Sequence, residues 1–337
     1  MERERNNFIE IFHNYPGGLP AYSRQTIQLL KSNDPECVRV HTENILNQGD
    51  DDAAKSFADA LRGNTQLEYI CFGCHTFEPE RVDMILSALT ETKVYKIEIW
   101  PMTSPNMRQE ICLNHHATRI SKTINSIPYL ITLSLQRCSL GPSTAISLAD
   151  NISQNKTVER IDLTDNAIGD DGAIAFANAL RTNRRLKELI LDGNTLTTSG
   201  QMALRNSIYD DSSLDALENS NHVIQSFFNT NPRSIFGKAM MNDCFHSLAA
   251  NLRCRSDKRA ITKKIHRYMQ KKYGVKLQYQ TILGIQTGLM PYLLSLLARR
   301  CDVGTMYDII RHMPHLTETG SSPDCHLKNK LSSLKLH

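Results

Sequence analysis

Residues 158–185, VERIDLTDNAIGDDGAIAFANALRTNRR, decide the fold. The stretch opens on apolar residues at its first, fourth and sixth positions, Val158, Ile161 and Leu163, and places Asn166 at the ninth and Ile168 at the eleventh. The period then changes: Ala173, Phe176, Ala177 and Leu180 follow the i, i+3, i+4, i+7 spacing of one helix face. The flanking stretches repeat the pattern as LITLSLQRCSLGPSTAISLADNISQNKT from Leu130 and LKELILDGNTLTTSGQMALRNSIYDDSS from Leu186. Unit starts at 130, 158, 186 and 214 are therefore 28 residues apart.

A short strand and a helix cannot bury their apolar faces alone, and stacking successive copies makes one continuous core. The spacing predicts an α/β fold, a curved solenoid of strand–helix units closed by helical caps. Degenerate units extend it toward the N-terminus: Leu67, Ile70 and Phe72 with Val82, Ile85, Leu86 and Leu89, then Val94, Ile97 and Ile99 with Ile120 and Ile124. A first unit uses Val38, Val40 and Phe57, and the longer step from Val94 to Leu130 predicts an insertion near Pro101 to His116. Asn219 falls on the sixth position of the unit begun at Leu214, where a core residue is expected, so the strand ladder is expected to end there. The predicted organisation is an N-terminal helical cap over 1–34, the solenoid over 35–220, a basic helical domain over 221–316 and a disordered tail over 317–337.

At these positions the chain resembles the leucine-rich repeat proteins of the ribonuclease-inhibitor type, specifically over 130–213 and more loosely over 37–129. Its C-terminal part resembles the helical segment that ends some uncharacterised ribonuclease-inhibitor-like repeat proteins. The resemblance implies that a position-nine Asn bonds the backbone of the turn, with Cys138 a structural substitute. It also implies a non-catalytic protein-binding module or scaffold working through the concave strand face. The repeat type is similar to that of Ran-type GTPase-activating proteins as well, which makes Arg137 and Arg160 the candidates for a catalytic arginine in that alternative.

Composition excludes several other classes. With 337 residues, 40% hydrophobic and 22% charged, the chain is neither collagen-like nor a low-complexity or disulfide-dense peptide. The run from Leu277 to Ala298 contains glutamines and Pro291 and is too polar for a membrane span. The start, Met1-Glu2-Arg3-Glu4-Arg5, lacks the apolar stretch of a secretory signal, and nine cysteines form an odd set, so a reducing cytoplasmic or nuclear setting is expected. The net charge of +4 hides a division: residues 1–220 hold 21 Lys and Arg against 29 Asp and Glu, leaving 18 against 6 for the remainder.

The outward strand positions supply the candidate contact residues for a protein partner: Tyr69, Tyr95, Glu98, Trp100, Gln136, Arg160, Asp162, Thr164, Glu188 and Asp192. Trp100, the single Trp, with Tyr69 and Tyr95 is the expected anchor, because aromatics in a polar surround dominate interface energetics. Arg259, Lys263, Lys264, Arg267, Lys271 and Lys272 form a basic patch on an amphipathic helix within 253–276, the basis of an alternative in which nucleic acid or another anionic surface binds there. Cys71-Phe72-Gly73-Cys74-His75 has haem-attachment spacing, and Cys71, Cys74, His75 and His41 are conceivable zinc ligands. Phe72 occupies a core position that the repeat already requires, so no metal and no cofactor is expected. No nucleophile elbow or phosphate loop occurs, and no enzymatic activity is expected.

Overall fold

The computed structural model describes residues 18–42, 51–74, 79–101, 118–228 and 238–253, with 260, 261, 263, 264, 267, 268 and 271. They fall into two compact units, one of residues 18–209 with Asn221–Leu252, the other of residues 210–220 with those beyond 252. The part of the expected N-terminal cap before residue 18 and the expected tail over 317–337 lie outside the described residues.

The first unit is built on a six-stranded parallel sheet whose strands stand in sequence order. They are β1 (Arg39–His41), β2 (Tyr69–Cys74), β3 (Lys96–Pro101), β4 (Thr132–Ser134), β5 (Arg160–Asp162) and β6 (Glu188–Ile190). In register, Val40, Ile70, Ile97, Leu133, Ile161 and Leu189 line up across all six strands. Each is 0% exposed, so the fourth repeat position forms an unbroken apolar row. Parallel neighbours need crossovers of one hand, which places the connecting helices on one side of the sheet. These helices are α1 (Gly18–Lys31), α2 (Asp51–Leu61), α3 (Pro79–Leu89), α4 (Pro142–Gln154), α5 (Gly169–Thr182) and α6 (Thr198–Ile208). Between β3 and β4, residues 118–123 are helical and run into a 3-10 turn at Ile124–Ser126. Helices pack in chain order, α1 on α2, α2 on α3, α4 on α5 and α5 on α6. In α5 the periodic residues Ala173, Phe176, Ala177 and Leu180 are buried as the spacing predicts. In the first repeat Cys37 takes the buried opening position, and Val38, expected in the core, is half-buried.

Two sets of buried or half-buried asparagines join successive units. At the ninth position, Asn166 Nδ2 donates to the carbonyls of Leu135 and Leu163 at 2.8 Å, and its Oδ1 accepts from Cys138 and Leu140 of the preceding unit at 3.0 Å. Asn194 repeats this one unit on, donating to Leu163 and Leu191 and accepting from Ile168. Cys138 has no amide to offer, and its Sγ bonds the Gln136 carbonyl. A second set lies three residues before the opening apolar residues Leu67, Val158, Leu186 and Ile224. Asn183 donates to the carbonyls of Ile152 and Asn155 at 2.7 and 2.9 Å, while its Oδ1 accepts from Arg185 and Leu186 at 2.8 Å. Asn64, Asn155 and Asn221 accept in the same way from the second and third residues after them.

This second set relocates the last unit. Leu214 does not open a strand; it begins α7 (Leu214–Glu218), which lies in the second compact unit. The next rung is Asn221, whose Nδ2 reaches the carbonyls of Leu180 and Asn183 at 2.8 and 2.9 Å. Ile224 is the apolar opener that follows, and Ser226 forms a parallel bridge to Glu188. Pairing thus continues beyond Asn219, because residues 210–220 leave the repeat and the chain then rejoins it. The helix α8 (Lys238–Arg253) brings Asn251 to the carbonyl of Ile224 at 2.6 Å.

Helix contacts depend on a small residue at the fifteenth position, occupied by Thr144, Gly172 and Gly200. A Cβ on Gly172 would stand 2.7 Å from that of Ala145 and closer still to Ile168, and one on Gly200 would stand 2.6 Å from Asp170 Oδ1. Gly172→Ala is expected to lower stability by about 1–3 kcal/mol through overpacking of α4 against α5. Asn183→Leu, which strands two amide and two carbonyl groups, is expected to cost about 3–5 kcal/mol in urea unfolding. A loss below about 1 kcal/mol would show that the asparagine rung is not what joins these units.

Candidate protein-binding face

The side of the sheet away from the helices carries the third, fifth and seventh repeat positions. Register places Arg39, Tyr69, Lys96, Thr132, Arg160 and Glu188 in one row, and His41, Cys71, Glu98, Ser134, Asp162 and Ile190 in the next. The two rows differ in exposure. The first is half-buried or exposed throughout, whereas His41, Cys71, Ser134, Asp162 and Ile190 are all buried. Strands stand only about 4.8 Å apart, so long side chains on either side lean over the short ones between them.

Two polar constellations result. In the first, the Tyr69 hydroxyl donates to Glu98 Oε2 at 2.9 Å and Lys96 Nζ lies 3.0 Å from the same oxygen. Lys96 Nζ also sits 4.6 Å from the Tyr69 ring centroid, Arg39 is 6.0 Å from it on the neighbouring strand, and the His41 ring meets Tyr69 edge-on. Burial, with Cys71 and Glu98 beside it, pushes the Tyr69 phenol well above its ordinary pKa. Burial first, and then the positive charges of Arg39 and Lys96, hold His41 down at about 4.

The second constellation centres on Asp162. Its Oδ1 accepts from the Thr164 hydroxyl and amide at 2.6 and 3.1 Å, and its Oδ2 accepts from Gln136 at 2.9 Å and Arg160 at 3.4 Å. Arg160 also forms an ion pair with Glu188 across the strands. Asp162, expected to be an outward contact residue, is 3% exposed and serves instead to hold Gln136, Arg160 and Thr164 in place. The reason is its fifth-position seat between two rows of longer side chains. Asp192 is half-buried at the seventh position, and Tyr95 stands 39% exposed just before β3. Trp100 lies in β3 in register with Gly73. The sequence reading passed over Lys96 and Arg39 as partners of Tyr69; their shared third position was the available signal.

Arg137, one candidate for a catalytic arginine, is pinned to Asp165 at 2.9 Å in a left-handed turn with φ 54°. The other, Arg160, is paired with Glu188. Cys71 and Phe72 are buried in β2 and His75 lies outside the described residues. Among the described residues no group of three His, Cys, Asp or Glu is placed to hold a metal ion. In the second compact unit Lys264 is 2% exposed, with Ala260 and Tyr268 buried one turn to either side. Lys263 and Lys271 are exposed, Arg267 is half-buried and Lys271 lies 3.4 Å from Asp211, so the expected basic stripe loses Lys264 to the buried side. Arg259 and Lys272 lie outside the described residues. Among the described residues no helix is long and apolar enough to cross a membrane.

The strand–helix units stack as successive repeats, and residues 154–177 match the family model described as Leucine Rich repeat. No curated protein matches the chain significantly. Among solved structures the chain is similar to "Leiomodin-1 Actin-Binding Site 2 (ABS2)", at 15% identity, a TM-score of 0.27, and coverage of 75% of this chain and 96% of that one. It is also similar to the tropomodulin C-terminal domain of Caenorhabditis elegans, at 12% identity, a TM-score of 0.30, and coverage of 75% and 98%.

The His41 environment sets a pH dependence. Its pKa in the folded chain lies below the usual value of about 6.5, so protonation favours unfolding, and stability is lost as pH falls from 6.5 toward 4. His41→Gln is expected to remove about 2 kcal/mol of the loss seen between pH 7 and pH 5 in urea titrations. Equal acid sensitivity of variant and parent would refute the assignment.

Proposed function

We propose that this chain is a non-catalytic protein-interaction module of the ribonuclease-inhibitor repeat type, holding a protein partner on the open face of its parallel sheet. The observation that carries the reading is the cross-strand network in which Gln136, Arg160, Thr164 and Glu188 are fixed around the buried Asp162. Side chains already held in one geometry lose little ordering entropy on binding, and the two constellations offer a preorganised pattern of opposite charges. Tyr69, Tyr95, Glu98, Trp100, Gln136, Arg160, Thr164, Glu188 and Asp192 are the proposed contacts, with Asp162 as their positioning residue. Buried Cys37, Cys71, Cys138 and Cys244, packed as core residues with free thiols, suit a reducing cytoplasmic or nuclear setting.

The test separates contact from folding. Affinity purification with mass spectrometry compares the parent with Arg160→Glu and with the exchanged pair Arg160→Glu, Glu188→Arg. The single change places like charges together and is expected to lower the melting temperature by a few degrees, an effect of about 1 kcal/mol. The exchanged pair restores the attraction across the strands but leaves a carboxylate at 160 beside the buried Asp162, so the melting temperature should recover only in part; it presents reversed charges, so partners should be lost in both variants. Retention of the parent's partners by the exchanged pair would overturn the proposal.

A further inference from the structure

We infer that the groove between α4 and α5, on the helix side of the sheet, is a docking site for a basic amphipathic helix of a partner protein. The groove encloses about 600 Å³; Ile146, Ile174, Ala175 and Ala179 give it an apolar lining, and Asp150 and Asp171 stand in the same lining. Ile146 is 39% exposed and Met202 48%, and both take the seventeenth repeat position, with half-buried Ile174 at that position between them. Equivalent positions lie side by side here, since a Cβ on Gly172 would stand 2.7 Å from that of Ala145 and one on Gly200 would stand 3.1 Å from that of Ala173. Ile146, Ile174 and Met202 thus form a row across α4, α5 and α6. Apolar side chains gathered in one place mark an interaction surface where scattered ones do not.

The charges in the groove choose the partner. α4 contains no Lys or Arg, and α5 contains only Arg181, which does not line the groove. Asp150 and Asp171 are exposed, and neither makes an ion pair among the described residues. Asp150 follows Ile146 by four residues and Asp171 precedes Ile174 by three, so each carboxylate stands one turn from an isoleucine on the same helix face. The two carboxylates occupy repeat positions that differ by seven residues, about 10 Å along the helix axis. A helix lying in the groove meets both with cations seven residues apart, and fills the space between them with an apolar residue at the third or fourth step of that interval. A second copy of this chain fits less well, because it brings the same carboxylates against these, and the phosphates of nucleic acid or of an anionic membrane are repelled. The groove lies on the side of the sheet opposite the open face, so this site stands or falls apart from the function proposed above.

The experiment selects a display library of helical peptides of about 20 residues on the full chain and titrates the enriched synthetic peptides by fluorescence anisotropy, while sedimentation follows the chain alone. The expected consensus carries Lys or Arg at i and i+7 with a large apolar residue at i+3 or i+4. Ile146→Ser is expected to weaken these peptides about tenfold at an unchanged melting temperature, since the side chain already meets solvent. Asp150→Asn with Asp171→Asn is expected to weaken them by a similar factor and to flatten the salt dependence. Arg160→Glu, Glu188→Arg should leave them unaffected. A neutral or acidic consensus, no enrichment, undiminished binding to the groove variants, or self-association of the chain that Ile146→Ser abolishes would overturn the inference.

Discussion

Strand–helix units leave backbone amides and carbonyls at their ends that sheet pairing alone does not reach, and in the units opened by Leu67, Val158, Leu186 and Ile224 asparagines satisfy them. An asparagine side chain carries a donor and an acceptor on one planar group, so a single residue such as Asn183 can bond carbonyls of the unit before it and amides of the unit it opens. A buried backbone group without a partner costs about 1–3 kcal/mol, so each rung is worth several times what one surface ion pair supplies. Because each rung spans two units, it helps set their spacing where it occurs, and the apolar row from Val40 to Leu189 also runs through β3 and β4, whose units open without an asparagine three residues ahead.

The same spacing governs the open face. Parallel strands at fixed separation force the third, fifth and seventh positions into rows, and polar residues in adjacent rows then have no choice but to meet. Asp162, with four hydrogen bonds, is the clearest case: a carboxylate drawn into the sheet surface organises Arg160, Gln136 and Thr164 around it. Tyr69 and Glu98 do the same with Lys96 at the other end of the sheet.

Much of this architecture was legible from residue periodicity. The apolar openers of the central units, the helix face Ala173, Phe176, Ala177 and Leu180, and the position-nine asparagines all follow from a repeat of 28 residues. The second asparagine set was equally present in the sequence, as Asn three residues ahead of Leu67, Val158, Leu186 and Ile224. It went unread because a strict interval points to Leu214, and only the excursion over 210–220 explains why the rung waits until Asn221. In the candidate site, strand position set Tyr69, Glu98, Arg160 and Glu188 among the outward residues without pairing them, and the pairs Tyr69 with Glu98 and Arg160 with Glu188 form only between neighbouring strands. It misjudged Asp162 and Lys264, since a repeat pattern says which way a side chain leaves the backbone and not what its neighbours cover.

By itself, then, the sequence determined the repeat, the alternation of strand and helix and the rows in which side chains stand, because those depend on local periodicity and on apolar burial within a unit. Tertiary structure alone decided where the chain leaves and rejoins the repeat, which charges are pulled under their neighbours, and which aromatics stay uncovered. Those outcomes depend on contacts between residues about one repeat apart, such as the 2.9 Å bond from Gln136 to Asp162, and such distances exist only once the units have stacked.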